Sequence, residues 1–209
     1  MVNRSETSEP PPAEERHDAS QETTTPQPSI ATCLDELSRT QLRFRTIYAD
    51  PPWQYSNTAA RGAAENHYKT LSVEQLCELP VSKLCEPESH LHLWTTNGFL
   101  REAFTVMEAW GFEYKSCFLW VKPKLGMGNY WRVSHEFMLL GTKGRLQFRD
   151  KSQRSWRELP RREHSKKPGL IRNLIEQVSP GPYLELFGRE EIPASEWTVF
   201  GNQVERRLF

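Results

Sequence analysis

Short apolar runs alternate with helical patterns from about residue 30 onward, and this alternation limits the fold more than any other feature of the sequence. Strands that alternate with helices predict an α/β domain built around one sheet. The runs interpreted as strands are RTIYAD (45–50), HLHLWTT (90–96), YKSCFLWV (114–121), EFMLLGT (136–142), YLELFG (183–188) and WTVFG (197–201).

Helical spacing of apolar residues separates several of these strands. In the first helix, Ser72 is expected to cap the N-terminus and Gln75 to complete a capping box. In the second, Asn97 is expected to cap the helix and Gly111 to end it. In the third, Pro168 suits the first helical turn. The segments concerned are residues 71–80, 97–111 and 167–181.

The N-terminal segment differs in kind from the rest of the chain. Residues 1–29 are rich in Pro, Glu, Ser and Thr, and residues 1–40 carry 8 acidic and 3 basic side chains. With few large apolar residues, such a segment cannot offset its ordering entropy, so we expect a disordered acidic tail followed by one domain over 30–209. No apolar run resembles a signal peptide or a membrane span, which favours a cytoplasmic location.

The four cysteines, at positions 33, 77, 85 and 117, form no Cys-x-x-Cys pair. Neither a zinc site nor a disulfide framework is therefore expected, and the thiols are predicted to be reduced and buried.

The sequence Asp50-Pro51-Pro52-Trp53 directly follows the first strand. In open α/β sheets, ligands bind beyond the carboxyl ends of the strands. Two prolines provide backbone carbonyls without neighbouring amide hydrogens, and an indole provides a flat face for a planar base. This combination predicts a site that holds the exocyclic amine of a nucleobase. In the alternative interpretation, the prolines end the strand and Trp53 packs on the core.

Two later strands also end in polar residues. Glu185, Gly188 and Arg189 lie in or just after YLELFG, and a carboxylate beside a small residue suits a ribose or an ammonium group. Asn202 and Gln203 follow the last strand, and their amides can both donate and accept hydrogen bonds. Gly-Asn-Gln alone is equally typical of an ordinary turn.

A basic stretch lies between these motifs. Residues 143–172 contain 11 Lys or Arg and 3 Asp or Glu, with Phe148 and Trp156 among them. Residues 144–164 lack helical or strand periodicity, and a substrate loop over about 143–165 is predicted to attract phosphates and stack bases. A solvated charged face is the alternative. The proposed substrate-binding residues of this loop are Arg154, Trp156, Arg157, Arg161 and Arg162.

Four motifs in order resemble the MT-A70 family of mRNA N6-adenosine methyltransferase catalytic subunits, over about residues 44–203. They are DPPW (50–53), REHSKKP (162–168), LELFGR (184–189) and WTVFGNQ (197–203). The resemblance implies a Rossmann-like class I methyltransferase domain with a mostly parallel sheet and helices on both faces. It also implies a permuted order, with the catalytic strand before the cofactor strand, and S-adenosylmethionine as methyl donor.

The resemblance further assigns roles to individual residues. Tyr68 matches a tyrosine that covers the target base; the alternative is that it packs as a hydrophobic staple against the next helix. Glu136 matches a family glutamate. Eukaryotic members carry Pro-His-Asn where this chain has residues 190–192 (Glu-Glu-Ile), so the contacts after Arg189 stay open. A solvated cap is the alternative for Lys167. The implied cofactor-binding residues are Asp50, His164, Ser165, Lys167, Glu185, Gly188, Arg189, Asn202 and Gln203.

The resemblance implies methylation of the adenine N6 amino group, without a metal, in a nucleic acid whose target base is unpaired or flipped out. DNA is slightly favoured over RNA, since the chain carries no dedicated RNA-recognition module. Two alternatives remain: a non-catalytic nucleic-acid-binding subunit, and a methyltransferase for the N4 amino group of cytosine. The intact motif at Asp50 argues against the first, because a subunit that only binds nucleic acid does not need a group of hydrogen-bond acceptors at this position.

Overall fold

The computed structural model describes residues 30–54, 70–126, 128, 130–161, 167–189 and 196–201. The acidic tail predicted over 1–29 lies outside these residues. Within the described part of the chain, no helix has both the length and the apolar character needed to cross a bilayer.

Seven strands form one sheet among the described residues, in the order β5-β3-β4-β2-β1-β6-β7. Strand β4 is antiparallel to both of its neighbours, and every other pair is parallel. The sheet is therefore mostly parallel, as the family resemblance implied. The strands are β1 (Phe44–Ala49), β2 (Cys85–Thr95), β3 (Glu113–Val121), β4 (His135–Lys143), β5 (Trp156–Glu158), β6 (Tyr183–Leu186) and β7 (Trp197–Phe200).

Helices cover both faces of the sheet. Alternate residues of a strand point to opposite faces, so Ile47 and Tyr48 of β1 belong to two different apolar clusters. The Ile47 cluster includes buried residues of α1, α2 and α3, and the Tyr48 cluster includes Ile171 and Ile175 of α4. This arrangement confirms the doubly covered sheet. The helices are α1 (Ile30–Ser38), α2 (Val73–Cys77), α3 (Leu100–Ala109) and α4 (Leu170–Val178).

The helix signals were only partly correct. The capping box of α2 is confirmed, because Ser72 Oγ accepts from Gln75 N at 3.2 Å and Gln75 Oε1 accepts from Ser72 N at 3.0 Å. The cap predicted at Asn97 is wrong, since this residue begins a 3₁₀ turn and α3 starts only at Leu100, without a side-chain cap. Gly111 follows α3 with a φ of +83°, a conformation that favours glycine.

Strand β5 lies in the stretch that was predicted to have no regular structure. It has three residues and pairs only with β3, so it forms one edge of the sheet. Helix α1 was also not predicted. The thiols of Cys77, Cys85 and Cys117 are free, and among these three only Cys85 is buried.

Two buried histidines of β2 contact Ser179, the residue that follows α4. His90 Nδ1 and His92 Nε2 each lie 2.9 Å from Ser179 Oγ. Burial, with a smaller contribution from His90, lowers the pKa of His92 to about 3, and burial also lowers the pKa of His90. Both rings are therefore neutral in the folded protein near neutral pH.

This burial makes stability depend on pH. Below pH 6.5 the unfolded chain protonates His92 whereas the folded chain does not, so stability is lost as the pH falls from 6.5 towards 3. We expect His92 to lower the free energy of unfolding by about 2 kcal/mol between pH 7 and pH 5. Urea unfolding of wild type and His92→Asn at the two pH values measures this, and an equal pH dependence in both proteins would contradict it.

Candidate active site

Asp50 lies at the carboxyl end of β1, which runs between the parallel strands β2 and β6. Its backbone N donates to Leu186 O at 3.4 Å, so the residue is positioned where β6 also ends. The side chain of Asp50 is 24% exposed. A carboxylate is thus held at the sheet edge where open α/β folds bind their ligands.

Asp50 belongs to a chain of alternating charges. Lys167 Nζ lies 2.7 Å from Asp50 Oδ1 and 3.4 Å from Glu136 Oε2. Lys122 Nζ donates to the other oxygen of Glu136, Oε1. The ammonium of Lys167 also lies 5.2 Å from the centre of the Trp94 ring. Lys167 lies before α4, Lys122 lies after β3, and Glu136 lies near the start of β4. Three separate segments therefore supply the charges around Asp50.

Ion pairing keeps Lys167 and Glu136 charged. Burial alone would lower the pKa of Lys167, but Asp50 and Glu136 outweigh it, and the pKa lies above its usual value. Burial would likewise raise the pKa of Glu136, but Lys167 and Lys122 outweigh it, and the pKa lies below its usual value. Lys167 is therefore a cation and Glu136 an anion at neutral pH.

The two oxygens of Asp50 differ in their surroundings. Oδ1 accepts from Lys167, whereas no residue in the described ranges donates to Oδ2. The family resemblance implied that Lys167 binds the cofactor, and in the structure its ammonium lies on Asp50. Lys167 therefore fixes the carboxylate through one of its two oxygens.

The two carbonyls of the proline pair are less available than the sequence suggested. Pro51 O accepts from Trp53 N at 2.9 Å, and Pro52 O accepts from Leu71 N at 2.9 Å. The prolines thus shape a turn that is tied to the segment before α2. Each carbonyl already accepts one backbone hydrogen bond, and a contact of either with a substrate amine stays a prediction.

Trp53 does not offer the open face that was predicted for it. Its ring stacks on Phe99, with centroids 5.3 Å apart and planes 17° apart, and Nε1 donates to Trp94 O at 3.3 Å. Only 7% of the residue is exposed. The base-stacking role was therefore wrong for Trp53, and the alternative of core packing is confirmed. The indole holds the turn that carries Asp50.

Glu185 of β6 is buried and makes a bidentate ion pair with Arg172 of α4. Arg172 Nε donates to Oε2 at 2.6 Å and Nη2 donates to Oε1 at 2.8 Å. Such planar, two-bond pairs are strong and geometrically specific. Since both oxygens already accept a hydrogen bond, the cofactor contact of Glu185 stays a prediction. Arg189, half-buried just after this strand, stays one as well.

Gly188 and Gly201 lie where β6 and β7 end and allow their backbones to meet closely. Gly188 N donates to Phe200 O at 3.0 Å. A Cβ atom on Gly201 would lie 1.9 Å from Gly188 O, and one on Gly188 would lie 2.3 Å from Val199 Cγ1. Glycine is required at both positions by the packing of the two strand ends, and a role of Gly188 in cofactor binding is a further prediction.

Gly201→Ala is expected to destabilise the protein by about 1–3 kcal/mol, because backbone atoms must move apart to admit the methyl group. Gly98→Ala is the matched control, since its Cβ would meet Thr96 Oγ1 only at 3.9 Å. Thermal unfolding of both variants measures the difference. Equal stability of the two would contradict the close approach of the strand ends.

The predicted substrate loop is divided between the two ends of the strands. Strand β5 runs parallel to β3 and contains Trp156, which is 47% exposed. The residues that follow β5 therefore lie at the carboxyl ends of the parallel strands, where Asp50 also lies.

Phe148 instead packs on His90 and His92, with ring centroids 5.3 and 6.4 Å away. The next residue, Arg149, donates its backbone N–H to Val178 O at the end of α4. The predicted role of Phe148 in base stacking is therefore wrong.

The arginines around β5 have different environments. Arg154 and Arg161 are exposed, and Arg161 Nη2 approaches Lys124 O at 3.5 Å. Arg157 is half-buried and donates to Gln153 Oε1 at 2.9 Å. Substrate contacts of these residues stay predictions.

Several predicted site residues lie outside the described parts of the chain, and their roles also stay predictions. They are Tyr68, Arg162, His164, Ser165, Asn202 and Gln203, together with residues 190–192.

Lys122 was missed, although the sequence held a signal for it. A basic residue ends one strand and an acidic residue begins the next, and the hairpin that joins antiparallel strands brings such residues together. In the structure, Val121 pairs with His135, so Lys122 and Glu136 lie one residue from this pair, on opposite strands. Alternating charge across a predicted hairpin could have identified the contact.

A mostly parallel sheet with helices on both faces, and with a carboxylate at the end of a central strand, is a Rossmann-like α/β arrangement of the kind that binds ligands at this edge. Comparison with protein-family models matches MT-A70 over residues 44–203. The chain belongs to the MT-A70 family, as the motifs implied.

Three relatives illustrate the range of the similarity. Type II methyltransferase M.MunI from Mycoplasma sp is 29% identical over 185 residues, which cover 78% of this chain and 78% of the relative. The human N(6)-adenosine-methyltransferase catalytic subunit METTL3 is 29% identical, over 78% of this chain and 28% of that protein. Human N(6)-adenine-specific methyltransferase METTL4 is 29% identical, over 84% of this chain and 40% of that protein.

The shared region therefore spans most of the bacterial relative but less than half of either human protein.

Proposed function

We propose that this protein transfers a methyl group from S-adenosylmethionine to the N6 amino group of adenine in a nucleic acid. The observation that carries the proposal is the Asp50 carboxylate, which Lys167 fixes through Oδ1 while Oδ2 meets no donor in the described residues. The names of the relatives as adenine methyltransferases support the choice of acceptor.

Asp50 activates the amine in this mechanism. The lone pair of an exocyclic amine is delocalised into the ring, so the nitrogen is a weak nucleophile. A hydrogen bond from the amine to Asp50 Oδ2 orients the group and favours a pyramidal nitrogen. As the N–C bond forms and the bond from the methyl group to sulfur breaks, positive charge grows on the nitrogen, and the adjacent carboxylate stabilises it. The nitrogen then gives one proton to Asp50 Oδ2, which passes it to solvent, and the methylated amine becomes neutral.

The charges at this edge fit the cofactor. S-adenosylmethionine carries a carboxylate, an ammonium and a sulfonium, and it supplies an electrophilic methyl group when bound. Asp50 and Lys167 offer one anion and one cation at the ends of the parallel strands. We propose that Lys167, Arg189 and the backbone of Gly188 provide most of the binding of this cofactor. Asp50 contributes less, because its two oxygens meet Lys167 and the target amine.

The substrate is proposed to be DNA, with its target adenine unpaired or flipped out, because a base inside a duplex cannot reach a recessed carboxylate. Methyl transfer by the purified protein onto matched single-stranded and double-stranded DNA and RNA tests this. We expect the highest rate on single-stranded DNA. A higher rate on RNA would reverse the choice of polymer, and no transfer to any of the four would overturn the proposed activity.

A non-catalytic binding subunit remains the second candidate, since Lys167 already neutralises one oxygen of Asp50. Calorimetric titration with S-adenosylmethionine separates the two, because only the enzyme requires the cofactor.

A further inference from the structure

Three large side chains are exposed on the loop between β3 and β4. Tyr130 is 96% exposed, Trp131 is 90% exposed and Leu125 is 74% exposed. We call residues 122–134 the aromatic loop; all of them except 127 and 129 are described. Large aromatic residues with so little contact to their own chain commonly mark a binding surface.

Backbone bonds hold the described part of this loop in a defined shape. Lys122 N donates to Ser134 O at 2.6 Å, and Gly126 N donates to Val133 O at 2.9 Å. Arg132 Nη1 donates to Gly128 O at 3.3 Å. The loop therefore extends the β3–β4 hairpin outward.

The aromatic loop begins and ends at the charge network of the active site. Lys122, its first residue, contacts Glu136, and Glu136 contacts Lys167, which in turn holds Asp50. The base of the aromatic loop therefore lies within three side-chain contacts of Asp50.

The charge of the loop selects the kind of partner. Residues 122–134 contain three Lys or Arg and no Asp or Glu, and Arg161 adds a guanidinium beside Lys124 O. Positive charge next to exposed rings is the combination that binds single-stranded nucleic acid, through phosphate attraction and base stacking. A second copy of the chain docking through the same loop would instead bring like charges together.

We propose that the aromatic loop binds the single-stranded nucleic acid that flanks the target base. Tyr130 and Trp131 stack on neighbouring bases, and Lys124, Arg132 and Arg161 attract the phosphates. The inference rests on the proposed function, because it places the loop beside a base held at Asp50.

The test measures binding without methyl transfer. A fluorescein-labelled single-stranded DNA of about twelve bases is titrated with wild type, Tyr130→Ala, Trp131→Ala and Trp131→Phe, and anisotropy gives Kd. Each alanine is expected to weaken binding about tenfold, whereas Trp131→Phe keeps most of the affinity because it keeps a ring. Leu42→Ala, an exposed residue before β1 at the opposite edge, is the control and is expected to bind like wild type.

The outcomes separate this inference from the proposed function. Wild-type affinity in both alanine variants overturns the inference, even if wild type methylates DNA. Sedimentation that shows a wild-type dimer and a monomeric Trp131→Ala variant also overturns it and makes the loop an interface between copies. Loss of DNA binding with unchanged mass supports it, even if wild type transfers no methyl group and the proposed function fails.

Discussion

Replacing Asp50 with alanine is expected to lower methyl transfer by at least about a thousandfold, while binding of S-adenosylmethionine is retained in large part. The carboxylate stabilises charge that develops on the amine, and removal of one such preorganised group commonly costs 10²- to 10³-fold in rate. Loss of orientation of the amine adds to this. Tritiated methyl incorporation measures the rate, and calorimetric titration measures cofactor binding.

Two further variants make this result specific. Asp50→Asn keeps the shape of the side chain but loses its charge, so it is expected to remain strongly impaired. Glu88→Gln removes an exposed carboxylate near the start of β2, at the opposite edge, and is expected to be as active as wild type. Activity of Asp50→Ala near that of wild type would remove the proposed mechanism.

Replacing Lys167 with methionine has the second largest expected effect, a loss of about 10² in the rate of methyl transfer. Without the ammonium, Asp50 loses the contact that orients Oδ1 and lies near Glu136 as a like charge. Small errors in the placement of catalytic groups have costs of this size. Lys167→Arg keeps the cation and is expected to recover part of the rate.

A double variant tests whether Lys167 acts between the two carboxylates. Glu136→Gln removes one of the like charges, so Glu136→Gln/Lys167→Met is expected to lose less activity than the sum of the single effects. Lys115→Met, at the far end of β3, is the control for loss of a lysine. Additive effects of the two site substitutions would contradict a shared network.

Most of the sheet could be predicted from the sequence because its strands are apolar runs bounded by polar residues. The limits of β1 and β7 were within one residue of those observed. Strand β2 begins at Cys85, five residues before the predicted start at His90, because its first residues are largely polar and partly exposed. Strand β5 has three residues and lies at an edge, so it carries no periodic signal.

The location of Asp50 was also predictable, because a polar residue that directly follows a buried strand must lie at the carboxyl end of that strand. Its contact with Lys167 was not, since the two residues are 117 positions apart in the chain. The stacking of Trp53 on Phe99 likewise depends on how the turn folds back on the sheet. Phe148 shows the same limit, because its basic neighbours in sequence did not reveal that its ring packs on His90 and His92.

The most direct test of the central claim is the identity of the methylated nucleoside. Single-stranded DNA that contains all four bases is incubated with the protein and labelled S-adenosylmethionine, digested, and analysed by chromatography and mass spectrometry. The claim predicts label in N6-methyladenine, and none in the same reaction with Asp50→Ala. Label confined to N4-methylcytosine, or equal labelling of adenine by the variant, would contradict it.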